Sequence, residues 1–369
     1  MHLRYGLNPH QSPATLAMPD DPPFRIHSGE PSYINILDAL NSWQLVRKAA
    51  AALNRPAATS FKHVSPAGTA IDGPLDAVQA ETYRLDPAAT GPLTSAYVRA
   101  RDADPRASYG DFAAVSEPVD AELADLLRRV VCDGIIAPGF DSGVIATLQA
   151  KKGGRFLVLE ADPDFRPPEQ ESREVFGIRL TQPRSDQLPD PAPPDLLLGA
   201  IALEFTQSNS VAYLQDGMAL GIGAGQQSRI ACTMLAGAKA DTWWLRRHPK
   251  VRGLDFLPAV RRHDRVTWQL RLTEGELSAG ERARLRAAVR TEPEFLSPEE
   301  RHAWLGRRDG LSLASDGAIP FRDNIDEARR HGVRHIIEPG DSGRSGEVAA
   351  ACAERGITLV RTGTRLFHH

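Results

Sequence analysis

Near the end of the chain, Val333 to Ile337, Gly346 to Arg355 and Ile357 to Val360 read as strand, helix and strand in quick succession. A parallel pair of strands needs a crossover of about a dozen residues or more, usually a helix, whereas an antiparallel pair needs only a tight turn. This βαβ signature therefore predicts an α/β protein built around at least one parallel sheet. The turn between the first strand and the helix, Pro339-Gly340-Asp341-Ser342-Gly343, puts Ser342 and Gly343 at a strand's carboxyl end and near a helix N-terminus. Open α/β sheets place ligands there.

With 369 residues, the chain exceeds the roughly 250 to 300 at which single cores stop growing, so two or more subdomains are expected. A net charge of -3 gives no electrostatic reason to expect nucleic acid or an anionic membrane as a partner. No apolar run approaches the roughly 18 residues of a membrane span, and Met1-His2-Leu3-Arg4-Tyr5-Gly6 lacks a signal peptide's apolar region. Cys132, Cys232 and Cys352 form no CxxC pair, which predicts a reducing compartment. A cytoplasmic protein is expected.

Thr59-Ser-Phe-Lys-His-Val-Ser-Pro-Ala-Gly68 sets Lys62 beside His63 just before loop chemistry. An imidazole next to an ammonium is biased toward its neutral, basic form, as a general base requires. Both side chains can serve one pocket only if the strand has ended by Lys62, because adjacent strand residues face opposite ways. Pro66 and Gly68 supply that ending. On residues alone, an ordinary surface pair is the stronger reading. Before this segment, Ile34, Leu37, Leu40, Trp43 and Val46 recur every three residues and mark a core-facing helix to Leu53.

Other segments carry weaker signals. Arg4 and Tyr5 sit where a chain start would fray, yet offer a phosphate a planar cation and a hydroxyl. Gly110 is either a bend or a place for close ligand approach. An Ala121–Arg129 helix leads to an apolar strand, 130–138, interrupted by Asp133, which needs a partner or solvent. A hairpin-like strand at 156–160 follows. Pro167, Pro168, Pro189, Pro191, Pro193 and Pro194 mark a subdomain connection. After a helix at 196–205, Thr206-Gln207-Ser208-Asn209-Ser210 precedes a hairpin whose strands, 211–215 and 218–222, flank Asp216-Gly217. The glycine-rich stretch from Gly221 to Arg229 then opens a helix and gathers backbone amides, two glutamines and Arg229 at its N-terminus. From Val251 to Gly310 the chain is charged and helical. At the end, apolar Leu366 and Phe367 suggest that the last residues dock.

Taken in order, Arg4–Gln11, Ser60–Gly68, Asp133–Gly139, Thr206–Val211, Gly221–Arg229 and Arg365–His369 resemble one family along its length, AICAR transformylase. That family formylates 5-aminoimidazole-4-carboxamide ribonucleotide (AICAR) in purine synthesis, with 10-formyltetrahydrofolate as co-substrate. The resemblance implies two cytidine-deaminase-like α/β subdomains, 1–165 and 251–369, joined by a helical connecting region at 166–250, in a homodimer. It implies no zinc, since no deaminase signature is present. The cyclohydrolase domain that usually precedes this one is not found in the sequence, so a separate IMP cyclohydrolase is expected downstream. Carried over by position, Lys62, His63 and Asn209 are catalytic; Arg4, Tyr5, Gly110, Asp133 and Arg365, with His63 and Asn209, bind the nucleotide. Arg229, Asp323, Ser342 and Gly343 lie on the folate side.

The sequence departs from the family at a few places. Ala318-Ile319 stand where two phenylalanines are common, Tyr109 replaces a Phe, and Asp341 adds a carboxylate near the expected folate pocket. Two other functions fit these departures: formyl transfer to another aminoazole, or a catalytically silent nucleotide-binding protein.

Overall fold

The computed structural model describes residues 1–185 and 192–369. Among them, eleven strands form one mixed sheet. In chain order these are β1 (Phe24–Ser28), β2 (Ala57–Phe61), β3 (Pro66–Ile71), β4 (Asp111–Val115), β5 (Cys132–Ala137), β6 (Leu157–Ala161), β7 (Val211–Gln215), β8 (Met218–Gly223), β9 (Leu311–Ser315), β10 (Val333–Glu338) and β11 (Thr358–Arg361). Across the sheet the order is β11-β10-β9-β7-β8-β3-β2-β4-β5-β6-β1.

Two antiparallel hairpins, β2–β3 and β7–β8, make the middle, and they meet where Met218 pairs with Ala70. Outside each hairpin lies a parallel trio, β4-β5-β6 on one side and β9-β10-β11 on the other. From β4 through β2, β3, β8 and β7 to β9 every pairing is antiparallel, five steps in all, so the two trios run in opposite directions. The sheet thus consists of two similar halves facing opposite ways.

Helices α1 (Tyr33–Leu53), α2 (Pro92–Ala103), α3 (Ala121–Arg129), α4 (Pro194–Glu204), α5 (Arg229–Leu245), α6 (Asp323–Arg330) and α7 (Ser345–Glu354) cover its faces. Alternation along the strands sorts the core into two layers. Ala114 and Ile136 pack under α1 and α4 in one cluster that runs across both halves and includes Trp43. Ala113 and Ile135 face the opposite way, toward α2 and α3. On that second face α5, α6 and α7 cover the other half, over Tyr213 and Leu313. The expected helices at 34–53 and 121–129 are α1 and α3, and the terminal βαβ unit is β10-α7-β11. Asp216 and Gly217 turn the β7–β8 hairpin with φ of 53° and 73°, the backbone region that an Asp-Gly turn favours.

Several features differ from expectation. The strand at 156–160 belongs to no hairpin: as β6 it pairs in parallel with β5 and antiparallel with β1. Within the proline-rich connection, Gln170–Val175 and Ile178–Pro183 form an exposed two-stranded hairpin; Pro189 and Pro191 lie outside the described residues. The stretch 166–250 also supplies β7 and β8 to the middle of the sheet. As expected, the charged segment 251–310 is helical, with helices at Arg262–Thr273, Ala279–Arg286 and Pro298–Leu305, and it has a small cluster of its own that contains Val251, Phe256, Leu272 and Leu285.

Candidate functional site

Strand direction gathers the candidate residues at one edge of the sheet. Lys62 and His63 follow the carboxyl end of β2, Arg229 that of β8, Asp323 that of β9, Ser342 and Gly343 that of β10, and Arg365 that of β11. Because the first trio and β7 run the other way, the same edge receives the amino ends of β4 and β5, with Gly110 and Asp133, and that of β7, preceded by Asn209. Arg4 and Tyr5 join it through the start of α1: Arg4 N–H donates to Pro31 O at 3.0 Å and Tyr33 N–H to Tyr5 O at 3.1 Å. Pairing of His2–Leu3 with Ala14–Thr15 pins this stretch, which therefore does not fray.

β2 ends at Phe61, so Lys62 and His63 are freed from strand alternation. The turn closes with Lys62 N–H donating to Ser65 O at 2.9 Å. His63 and Val64 both take positive φ, 54° and 56°. Such backbone is unfavourable for L-residues, most of all a β-branched one, and needs support. Asp38 on α1 supplies it, accepting from Val64 N–H at 2.7 Å and from the His63 amide. The His63 side chain remains exposed, while Lys62 Nζ donates to Tyr109 O at 2.8 Å. Asp38 is only 6% exposed, and burial pushes its carboxyl up to about 6.

In the same half, Gly110 has φ of 79° and a Cβ there would meet nothing within 4 Å, so backbone conformation rather than crowding calls for glycine. Asp133, which interrupts the apolar strand, has both the solvent and the partner that such a carboxylate needs. It is the second residue of β5, faces solvent, and pairs with Lys152 Nζ at 2.6 Å. Lys152, which pattern reading missed, thus belongs to this edge.

The other half contributes a denser network. Asp316, fully buried at the end of β9, accepts from the Arg229 guanidinium, from Ser208 Oγ at 2.5 Å and from Ser210 N–H at 3.0 Å. Arg229 also donates to Ser210 O at 3.0 Å and to Asn209 Oδ1 at 2.7 Å. Asn209 Nδ2 in turn donates to Gln226 O at 2.9 Å. Both ends of the Asn209 amide are therefore held, and Arg229 is committed to holding it. The last residues dock here: Leu366 N–H donates to Asp316 O at 2.8 Å, and Ser208 N–H to His368 O at 3.0 Å. Leu366 is buried, whereas Arg365 is exposed with its guanidinium over the Phe367 ring.

On the remaining stretch of the edge, Ser342 N–H donates to Ser345 Oγ at 3.0 Å, and Asp323, the exposed first residue of α6, accepts from Asn324 Nδ2 at 2.7 Å. Between them lies Ile319, 2% exposed, whose N–H donates to the buried Glu338 at 2.7 Å. Burial raises the Glu338 carboxyl above its usual range.

One bond ties the halves together at this edge, Gln207 N–H to Ser65 Oγ at 3.2 Å. Among the described residues no hydrogen bond joins Lys62 or His63 to Asn209, nor any of these to Asp323 or Ser342. The edge thus presents an exposed imidazole, a half-buried ammonium and an amide of fixed orientation, suited to moving a proton and steadying a developing negative charge. A cavity of about 970 Å³ lies at the opposite edge, around Asp216, Gly217 and Asp72. Two ion pairs line it, Arg55 with Asp72 at 2.7 Å and Arg247 with Asp76 at 2.6 Å. Among the described residues no cluster of three or more His, Cys, Asp or Glu side chains is arranged to hold a metal ion.

Residues 1–239 match the family described as AICARFT/IMPCHase bienzyme. Over its full length the chain is 28% identical to the bifunctional purine biosynthesis protein PurH of Ruegeria pomeroyi. It is 29% identical to proteins of the same name from Ruegeria sp. strain TM1040 and from Magnetococcus marinus. Each alignment takes in 100% of this chain and 59% of the relative.

Proposed function

Because the chain belongs to the AICARFT/IMPCHase bienzyme family, we propose that it transfers the formyl group of 10-formyltetrahydrofolate to the 5-amino group of AICAR. The observation that carries this reading is the meeting, at one sheet edge, of the Lys62-His63 turn with the amide of Asn209 held by Arg229. The acceptor amine is conjugated with its ring and is a weak nucleophile, so it needs both a base and stabilisation of the oxyanion. The amine nitrogen attacks the formyl carbon and His63 takes the amine's proton. Lys62 and the Asn209 amide steady the charge on the former carbonyl oxygen. The bond from that carbon to N10 then breaks, N10 gains a proton, and tetrahydrofolate leaves.

Arg4, Tyr5, Gly110, Asp133 and Arg365 hold the nucleotide in this reading, and Asp323, Ser342 and Gly343 the folate. Arg229 serves the folate side by fixing Asn209. We assign the enzyme to the cytoplasm, consistent with three buried free cysteines and with the lack, among the described residues, of a helix long and apolar enough to cross a membrane. We assign it a homodimeric state, supported by the hairpin at 170–183, which exposes Val175, Phe176, Ile178 and Leu180 although an isolated hairpin is marginal in water.

A second acceptor is favoured by one feature, the buried aliphatic Ile319 where the resemblance leads one to expect an aromatic. The deciding assay follows tetrahydrofolate release from AICAR and 10-formyltetrahydrofolate, for the parent protein and for His63→Ala. The expected outcome is turnover in the parent and a loss of about 10² to 10⁴ in the variant. An inactive parent that still binds AICAR would shift the reading to another aminoazole.

A further inference from the structure

The hydrogen bonds beneath the Lys62-His63 turn point to a residue that sequence pattern hid. We propose that Asp38 is the positioning residue of the site, its buried carboxylate setting the backbone of His63 and Val64 so that the imidazole stands free at the sheet edge.

Three observations carry this. First, α1 places Asp38 with its side chain buried under the turn, where it accepts from Val64 N–H at 2.7 Å and from the His63 amide. Second, the two residues it holds are consecutive in left-handed backbone, φ 54° and 56°. Neither is glycine or asparagine, so local preference opposes the turn and an outside contact must maintain it. Third, the contact is costly to keep. A carboxylate buried at 6% exposure loses hydration, and charge-assisted bonds to backbone amides repay only part of it. The groups that bear on it are Lys62, whose charge favours ionisation, and Asp133, whose charge opposes it. Asp133 is itself paired with Lys152. Desolvation prevails, and the Asp38 carboxyl rises from 3.8 to about 6.

The sign of the stability effect follows. A carboxyl whose value is raised by folding contributes stability below its unfolded value, and this is lost as pH rises through about 6. At neutral pH the ionised Asp38 is therefore a burden on the fold, which a residue present for packing alone would not impose. The ionised form is also the one that accepts both amides, so the turn is best held above that range.

The test compares the parent with Asp38→Asn, and its kinetic arm rests on the formyl-transfer reading. At pH 7.5 the expected result is a kcat at least tenfold lower, a KM for AICAR within threefold, and an unfolding midpoint unchanged or higher. A kcat within twofold of the parent, or a loss matched by a lower unfolding midpoint, overturns the proposal. An arm independent of activity follows the Val64 amide resonance against pH. The parent should show a transition near 6 that vanishes in Asp38→Asn. A transition that persists in the variant comes from a group other than Asp38, and one missing from the parent shows that the amide does not sense Asp38; either overturns the proposal. If the parent lacks turnover while the amide behaves as expected, the reaction assignment fails and the positioning role stands.

Discussion

Asn209 is immobilised from both sides, its Oδ1 by Arg229 and its Nδ2 by the Gln226 carbonyl. Replacing it by Ala should lower kcat by about 10² to 10³, the usual effect of deleting one oxyanion donor, with a smaller change in KM by steady-state kinetics. Arg229→Lys should reproduce part of that loss. An ammonium keeps the charge beside Asp316 but cannot reach Ser210 O, Asp316 and Asn209 with one planar fork. Local strand-ending signals singled out Lys62 and His63, whereas Asn209 stood only within a polar cluster and was named through the resemblance. Pattern reading could not find Asp38, which sits within the helical run that reads as core, or Asp316, whose partners come from more than 80 positions earlier in the chain. The need of Asp133 for a partner or solvent was legible from its apolar neighbours, but the partner, Lys152, was not.

At the scale of elements, the two hairpins share a packing device. A Cβ at Gly68 on β3 would lie 2.2 Å from Ala100 O of α2, and one at Gly221 on β8 would lie 2.2 Å from Ala236 O of α5. In each half a helix crosses the central strand so closely that backbone meets backbone. Gly68→Ala and Gly221→Ala should each destabilise the protein by about 2 kcal/mol or more, as overpacking does, seen as a lower midpoint in denaturant with an unchanged slope. Local chemistry made α1, the Asp-Gly hairpin and the terminal βαβ unit legible from sequence. The pairing of β3 with β8 was not legible, since it joins Ala70 to Met218 and no nearby signal specifies such a partner. Nor was the hairpin at 170–183, whose charged sequence exposes apolar and polar side chains alike and so lacks a strand's alternation.

Over the whole molecule, opposed halves share one seam. Besides the strand pair, α1 packs against α4, Lys48 bonds Glu204 at 2.6 Å, and the Arg99 guanidinium reaches from α2 to Ile71 O, Asp72 O and Asp216 O. If the proposed homodimer forms, the protein should sediment at twice the chain mass of 40.2 kDa and shift toward monomer in Phe176→Asp. A particle that remains at the chain mass at every concentration would remove the dimer. The tip at Phe176 leads to a further expectation. It is fully exposed and lies between segments that belong to different halves of the seam. A protease with aromatic preference should cut there first, as exposed loop tips invite. The nicked chain should nevertheless migrate as one native particle and separate into two fragments only in denaturant. If a second copy covers the hairpin, the rate of that cut should fall as protein concentration rises, making Phe176 a built-in reporter of assembly.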